Sequence, residues 1–72
     1  MPFEYLVVLF PRRRRVKING EYLGLTNKLL ELEGGGYEVA LGPPANFKPI
    51  QHKVDLRNTS AFTPMLIEFE EV

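Results

Sequence analysis

Four consecutive arginines are the residues of this 72-residue sequence whose type and spacing offer the most chemistry. The run consists of Arg12, Arg13, Arg14 and Arg15. A guanidinium group stays charged and presents a planar fork of donors that matches phosphate and carboxylate oxygens. The run therefore suggests a site for an anionic ligand such as nucleic acid, phosphate or an acidic surface. The alternative is a solvated segment that protects a sheet edge and pairs with acids such as Glu68, Glu70 or Glu71.

The charge balance of the whole chain weighs against a dedicated nucleic-acid-binding protein. Nine Lys and Arg residues offset nine Asp and Glu residues, so the net charge is zero. Nucleic-acid-binding domains usually carry a clear basic excess, and single-strand binders also need exposed aromatics for base stacking. Nucleic acid is therefore a weaker expectation than a protein partner.

The sequence predicts no catalytic, metal or cofactor site. There is no cysteine, and the single histidine, His52, is expected as a partly buried or rim residue. Ser60 and Asp55 are present, but no local pattern joins them to His52, and Asp55 falls on the opposite strand face. The glycine triplet at 34–36 lacks the Gly-Lys-Ser/Thr of a phosphate-binding loop. We therefore expect a protein that is not an enzyme.

The elements that must position these residues are short strands. Glycines and prolines punctuate the chain and leave segments of about five to nine residues, which suit strands better than helices. Several segments alternate apolar and polar residues, as half-buried strands do. The shared parity predicts a core of Val16, Ile18, Leu30, Leu32, Tyr37, Val39, Leu41, Val54, Leu56, Ile67 and Phe69. The expected fold class is all-β, a small antiparallel β-sandwich.

Two connections carry specific predictions. Asn19-Gly20 lies between two apolar segments and predicts a type I′ hairpin turn, with positive φ at both residues. The glycine triplet is expected to separate two further strands.

Residues 28–33 combine strong helix formers with alternation, but six residues make a poor helix, so we expect a strand there.

The first apolar run, Tyr5 to Phe10, does not alternate, so both faces of its strand are apolar. We expect Phe3, Tyr5, Val7 and Leu9 to fill the core. The opposite face, formed by Leu6, Val8 and Phe10, is then the expected self-association surface, because contiguous exposed apolar area usually marks a partner. The alternative is that the chain's own loop around Phe47 or Phe62 covers this face.

The order of turn and strand signals resembles the PEGA domain family. The resemblance rests on Pro11, on the segment from Val16 to Gly24 with its Asn-Gly turn, on Thr26, and on Gly36-Tyr37-Glu38-Val39. Phe47 would fill the family's later Gly-Tyr position. Arg12 replaces Glu of the naming tetrapeptide, Arg13 and Arg14 stand where it has Gly and Ala, Asn27 replaces a proline, and Asn46 replaces a glycine.

This resemblance implies an immunoglobulin-like or prealbumin-like β-sandwich that serves as an accessory module without catalysis. We expect residues 1–72 to form one domain, since this length does not suit two. The apolar run is too short for a signal peptide core or a membrane span. The cytoplasm is the default location, or a cell surface if the domain is excised from a longer protein. The expected function is a non-catalytic interaction or structural module, self-associating through its first strand, with anionic-ligand binding by Arg12 to Arg15 as the alternative.

Overall fold

The computed structural model describes residues 3–72, which form nine strands and no helix. The strands are β1 (Phe3–Leu9), β2 (Arg15–Ile18), β3 (Glu21–Leu25), β4 (Leu29–Glu33), β5 (Gly35–Leu41), β6 (Phe47–Lys48), β7 (His52–Leu56), β8 (Met65–Glu68) and β9 (Glu70–Glu71). No segment of this described part is a helix able to cross a membrane.

The strands form two sheets with one core and a small accessory ribbon. The first sheet has the order β4-β1-β8, the second has the order β3-β2-β5-β7, and β6 pairs with β9. Apolar side chains of both sheets meet in a single cluster, so the expected all-β sandwich is confirmed. One pairing departs from the antiparallel expectation. Strands β1 and β8 run parallel, with Leu6 opposite Met65 and Val8 opposite Ile67.

The β2–β3 hairpin has the predicted turn. Asn19 has a φ of 50° and Gly20 a φ of 85°, the signs that a type I′ turn requires. Farther along the hairpin, Arg15 lies opposite Leu25 but Lys17 lies opposite Tyr22, so β3 carries one additional residue. Gly24, with a φ of 78°, lies in this bulge. Glycine adopts this backbone conformation without the steric cost that a side chain would add.

The segment at 28–33 is a strand, as predicted, and β4 pairs with β1 along its length. The glycine triplet behaves differently from the expectation. Only Gly34 separates β4 from β5, because Gly35 pairs with Leu56 and Gly36 with Asp55 inside the second sheet. The prediction that all three glycines form the connection is therefore wrong in its extent.

The core contains most of the residues that alternation predicts. Those confirmed as buried are Val16, Ile18, Val39, Leu41, Leu56, Ile67 and Phe69, while Leu30, Leu32, Tyr37 and Val54 are half-buried and pack against them. Glu38 and Lys53 are exposed, as the register requires.

The two faces of β1 are reversed relative to the sequence prediction. Leu6 and Val8 are 0% exposed and Phe10 is 4% exposed, whereas Phe3 is 50% exposed. Leu6, Val8 and Phe10 are therefore core residues, and they do not form an exposed self-association surface. The ring of Phe47 packs edge-on against Phe10 at 6.4 Å between centroids, so the chain's own loop covers that residue. Phe62 does not contribute to this cover, being 96% exposed.

Candidate interaction surfaces

The four arginines do not converge on one site. Arg12 forms an ion pair with Glu71, which belongs to β9. The hydrogen bond from Arg12 to this carboxylate, and then its charge, raise the pKa of Arg12. This contact agrees with the alternative in which acids near the C-terminus pair with the run. For Arg13, no hydrogen bond or ion pair to another residue of 3–72 is found.

Arg14 has a structural role. Its guanidinium Nη1 donates to the carbonyl oxygen of Pro44 at 2.9 Å, to Oδ1 of Asn46 at 3.0 Å and to the carbonyl oxygen of Gly42 at 3.3 Å. The same guanidinium lies 5.2 Å from the centroid of the Phe10 ring. Arg14 therefore holds the loop that leads from β5 to β6 against the end of the core.

Thr26 fixes the backbone of the arginine segment. Its side chain is 1% exposed, and its hydroxyl donates to the carbonyl oxygen of Arg12 at 2.7 Å and accepts from the amide of Arg14 at 2.9 Å. The amide of Thr26 donates to the carbonyl oxygen of Arg14 at 2.9 Å. A buried hydroxyl that both donates and accepts a hydrogen bond stabilises the backbone of this loop.

Arg15 and Lys17 flank one aromatic ring on the outer side of the second sheet. The Arg15 guanidinium lies 4.0 Å from the centroid of Tyr22, and the Lys17 ammonium lies 5.6 Å from it. The ring reaches across β2, because a Cβ atom on Gly42 would lie 3.1 Å from Cε1 of Tyr22. Neither cation has an ion pair with a carboxylate among residues 3–72.

We call this surface the Tyr22 face. Its outward strand positions are Arg15, Lys17, Tyr22, Leu25, Gly36, Glu38, Ala40, Lys53 and Asp55. Sequence reasoning about the arginine run missed Lys17 and Tyr22. The signal was available, because a two-residue hairpin turn at Asn19-Gly20 places Lys17 directly opposite Tyr22.

The outer side of the first sheet is a second surface, which we call the Leu66 face. Its outward positions are Phe3, Tyr5, Val7, Leu9, Leu29, Glu31, Glu33, Leu66 and Glu68. Val7 lies between Leu29 and Leu66 in register, so an apolar row crosses all three strands. Leu29 is 49% exposed and Leu66 is 64% exposed. Exposed apolar residues in one row are typical of a contact surface.

Acidic residues border this apolar row. Glu31 lies beside Tyr5, and a hydrogen bond to its carboxylate, followed by its charge, raises the pKa of the Tyr5 hydroxyl. Glu33 lies opposite Phe3, and Glu68 lies opposite Leu9. No lysine or arginine occupies an outward strand position on this face in the described chain.

His52 has the structural role that the sequence predicted. Its Nε2 lies 2.9 Å from the carbonyl oxygen of Glu68 and donates to it in the tautomer protonated at that nitrogen. The imidazole packs edge-on against Phe69 at 4.9 Å between centroids. Asp55 instead pairs with Arg57 at 2.7 Å. Among residues 3–72 there is no group of three or more acidic, histidine or cysteine residues arranged to hold a metal.

The comparison with family models decides the family. The model that describes the PEGA domain matches residues 10–68. The chain belongs to the PEGA domain family. PEGA domains are accessory modules without an assigned catalytic activity, and the resemblance carried by the sequence motifs is confirmed. Comparisons with curated proteins and with solved structures find no match.

The geometry gives physical roles to the PEGA motif positions. Gly24 provides the left-handed bulge and Thr26 holds the tetrapeptide loop, which explains a Gly-x-Thr step after the hairpin. Asn27 departs from the family's proline, and its φ of 63° is a value that proline cannot adopt. The Asn27 side chain donates to the carbonyl of Phe10 at 2.8 Å and accepts from its amide at 3.3 Å. In this chain, the Asn27 side chain therefore fastens the turn after β3 to the backbone that follows β1 through these two hydrogen bonds.

Proposed function

We propose that this PEGA domain is a non-catalytic interaction module that self-associates through the outer face of its first-strand sheet. The observation that carries the proposal is the apolar row formed by Leu29, Val7 and Leu66, which crosses the sheet in register. Removing such a row from water is favourable roughly in proportion to its apolar area. A small domain without disulfides also gains stability from a second subunit.

Contact through a face agrees better with the topology than sheet extension through β1. Strand β1 is the central strand of its sheet, with β4 on one side and β8 on the other. Its backbone donors and acceptors are therefore paired, so its side chains remain as the means of contact. Phe3, Tyr5, Val7 and Leu9 are the residues of β1 that the Leu66 face contains.

The test compares, by sedimentation, a double substitution in the apolar row with a single substitution outside it. Leu29→Lys with Leu66→Lys places charge in the apolar row, while both side chains are already about half exposed or more. We expect the variant to remain folded and monomeric across a concentration series up to about 1 mM, where the wild type increases in mass. Phe62→Lys is the matched control, because Phe62 is 96% exposed and lies outside this face. A wild type that is monomeric at every concentration would contradict the proposal.

A second candidate function is binding of an anionic ligand by the Tyr22 face. The specific support is the pair of cations Arg15 and Lys17, which share the Tyr22 ring without a carboxylate partner in the described chain. A phosphate or carboxylate between two such cations would relieve their mutual repulsion. In contrast to the four-arginine run, this site needs only Arg15 of the four.

Retention on heparin in a salt gradient tests this second function. We expect Arg15→Ser with Lys17→Ser to abolish retention, and Arg12→Ser, which removes an arginine already paired with Glu71, to have a smaller effect. If the wild type elutes without retention at low salt, the anion-binding function is wrong.

A further inference from the structure

The two outer faces of the sandwich carry opposite charge. The Leu66 face has three carboxylates, those of Glu31, Glu33 and Glu68, and no cation at its outward positions within residues 3–72. On the Tyr22 face, Glu38 pairs with Lys53 at 3.9 Å. Asp55 pairs with Arg57 at 2.7 Å. Arg15 and Lys17 remain there without an acidic partner in the described chain, so the unneutralised charge on this face is positive.

The faces also match in their arrangement of apolar and charged groups. On the Leu66 face, Glu31 and Glu68 lie at opposite ends of the apolar row, beside Tyr5 and Leu9. On the Tyr22 face, a shallow cleft is lined by Lys17, Tyr22, Ala40, Pro43 and Ile50, among others. Ile50 is 82% exposed and Tyr22 is 42% exposed. Each face thus exposes apolar groups beside charges that have no partner of opposite sign on that face among residues 3–72.

We infer that the Leu66 face of one copy of this chain docks on the Tyr22 face of the next copy. The inference rests on the proposed function and names its partner surface. Stacking two Leu66 faces on each other would bring two sets of three carboxylates together, whereas Arg15 and Lys17 supply the missing positive charge. The contact joins two different faces, so it is heterologous and does not close on itself unless the rotation permits a ring.

The size of the contact sets its strength. The three strands lie about 5 Å apart and have seven, five and four residues, which gives a face on the order of 250 Å². This is less than half of the roughly 800 Å² per partner that a standard stable interface buries. The association is therefore weak, concentration-dependent and sensitive to salt, because exposed charges are screened over about 10 Å at 0.1 M salt.

Two complementary variants test the head-to-tail arrangement by sedimentation at low salt. The first, Arg15→Glu with Lys17→Glu, alters the Tyr22 face and leaves the Leu66 face intact. The second, Leu29→Asn with Leu66→Asn, removes the apolar row and leaves the Tyr22 face intact. We expect the wild type to form species larger than a dimer, each variant alone to be monomeric, and a 1:1 mixture to form a dimer and nothing larger. In the mixture, the native Leu66 face of the first variant can dock on the native Tyr22 face of the second. The two altered faces both carry carboxylates, so they repel each other and the assembly stops at the dimer.

The outcomes separate this inference from the proposed function. If Arg15→Glu with Lys17→Glu self-associates as the wild type does, or if the mixture stays monomeric while the wild type associates, the head-to-tail contact is wrong and self-association stands. If the wild type is monomeric at every concentration, both the head-to-tail contact and the proposed self-association are wrong. Chemical-shift perturbation of the wild type on dilution provides a measurement that needs no variant. We expect changes at both Leu66 and Tyr22, and changes confined to one face would overturn the inference.

Discussion

Leu30 packs directly over Gly24, so closely that a Cβ atom on Gly24 would lie 2.2 Å from Cδ2 of Leu30. Gly24 also has a φ of 78°, which costs other residues roughly 1–2 kcal/mol. Overpacking against Leu30 adds about 1–3 kcal/mol. We therefore expect Gly24→Ala to lower the free energy of unfolding by about 2–5 kcal/mol, measured by urea denaturation.

Gly20→Ala is the matched control for this prediction. Gly20 has a φ of 85°, but a Cβ atom there would have no neighbour within 4 Å. Only the backbone cost applies, so the loss should be about 1–2 kcal/mol. Equal losses at the two positions would show that the contact with Leu30 contributes nothing. Leu30→Ala in the Gly24→Ala background should restore part of the difference if the clash is its cause.

Thr26→Val should destabilise the domain because it preserves shape and removes a buried hydroxyl. The carbonyl oxygen of Arg12 and the amide of Arg14 would lose their partner. An unsatisfied buried polar group costs about 1–3 kcal/mol, which for a domain of this size lowers the melting temperature by several degrees. Thr63→Val changes the same group at an exposed position. It should change the free energy of unfolding by about 0.5 kcal/mol or less, and equal effects at both positions would contradict the role of Thr26.

The arginine run should divide into one structural residue and three peripheral ones. Arg14→Ser removes three donated hydrogen bonds to the loop at 42–46 and should cost about 1–3 kcal/mol. Arg13→Ser should change the free energy of unfolding by about 0.5 kcal/mol or less. Nothing in a run of four identical side chains marks Arg14 as the residue with a structural role. If the unfolding curves of Arg14→Ser and Arg13→Ser both coincide with that of the wild type, the structural role of Arg14 is wrong.

Local signals in the sequence predicted the strands and turns well. Asn19-Gly20 specifies its turn because positive φ at two successive residues excludes most other residue types. Alternation specified the inward face at Val16 and Ile18, since a half-buried strand has only one dry side. The segment at 28–33 contains a strand, as its alternation and its short length predict, although it includes strong helix formers.

The same reasoning failed at β1 because that strand has two apolar faces. Glu4 shares parity with Leu6 and Val8, and a carboxylate on an inward face is costly unless it is hydrogen-bonded. The structure instead satisfies Glu4 at the end of the sheet, where Thr59 donates to its carboxylate. The parallel pairing of β1 with β8 and the bonds of Thr26 to residues 12–14 connect distant segments, and local patterns carry no information about such pairings.

The corrected orientation of β1 predicts opposite results for two leucines. Leu6→Ala removes a fully buried side chain and should cost about 2–5 kcal/mol. Leu66→Ala removes a side chain that is 64% exposed and should cost about 0.5 kcal/mol or less in the monomer. Thermal unfolding at a concentration below self-association measures both. A larger loss of unfolding free energy for Leu66→Ala than for Leu6→Ala would contradict the burial of Leu6 and would favour the orientation of β1 expected from the sequence. Leu6→Lys with Val8→Lys should abolish folding rather than produce a folded monomer.

Glu4 should make the stability of the domain depend on pH at acidic values. Its Oε1 accepts hydrogen bonds from the hydroxyl of Thr59 at 2.6 Å and from the amide of Thr59 at 2.9 Å, and these bonds lower the pKa of Glu4. A carboxyl group whose pKa is lower in the folded state contributes stability that is fully present above its unfolded pKa of about 4.3. That contribution is lost as the pH falls through the folded pKa.

Glu4→Gln isolates this contribution because glutamine does not titrate. The difference in free energy of unfolding between wild type and Glu4→Gln should be constant above about pH 5 and should shrink below about pH 4. Denaturation curves at several pH values measure the difference, and an NMR titration of the Glu4 carboxyl carbon measures the pKa directly. Glu68→Gln is the control, since the exposed Glu68 side chain accepts no hydrogen bond of the Thr59 kind from any residue of 3–72. A pKa for Glu4 at or above about 4.3 would contradict the two bonds from Thr59, because a carboxylate that accepts two hydrogen bonds in the folded state holds its proton less tightly than in the unfolded chain.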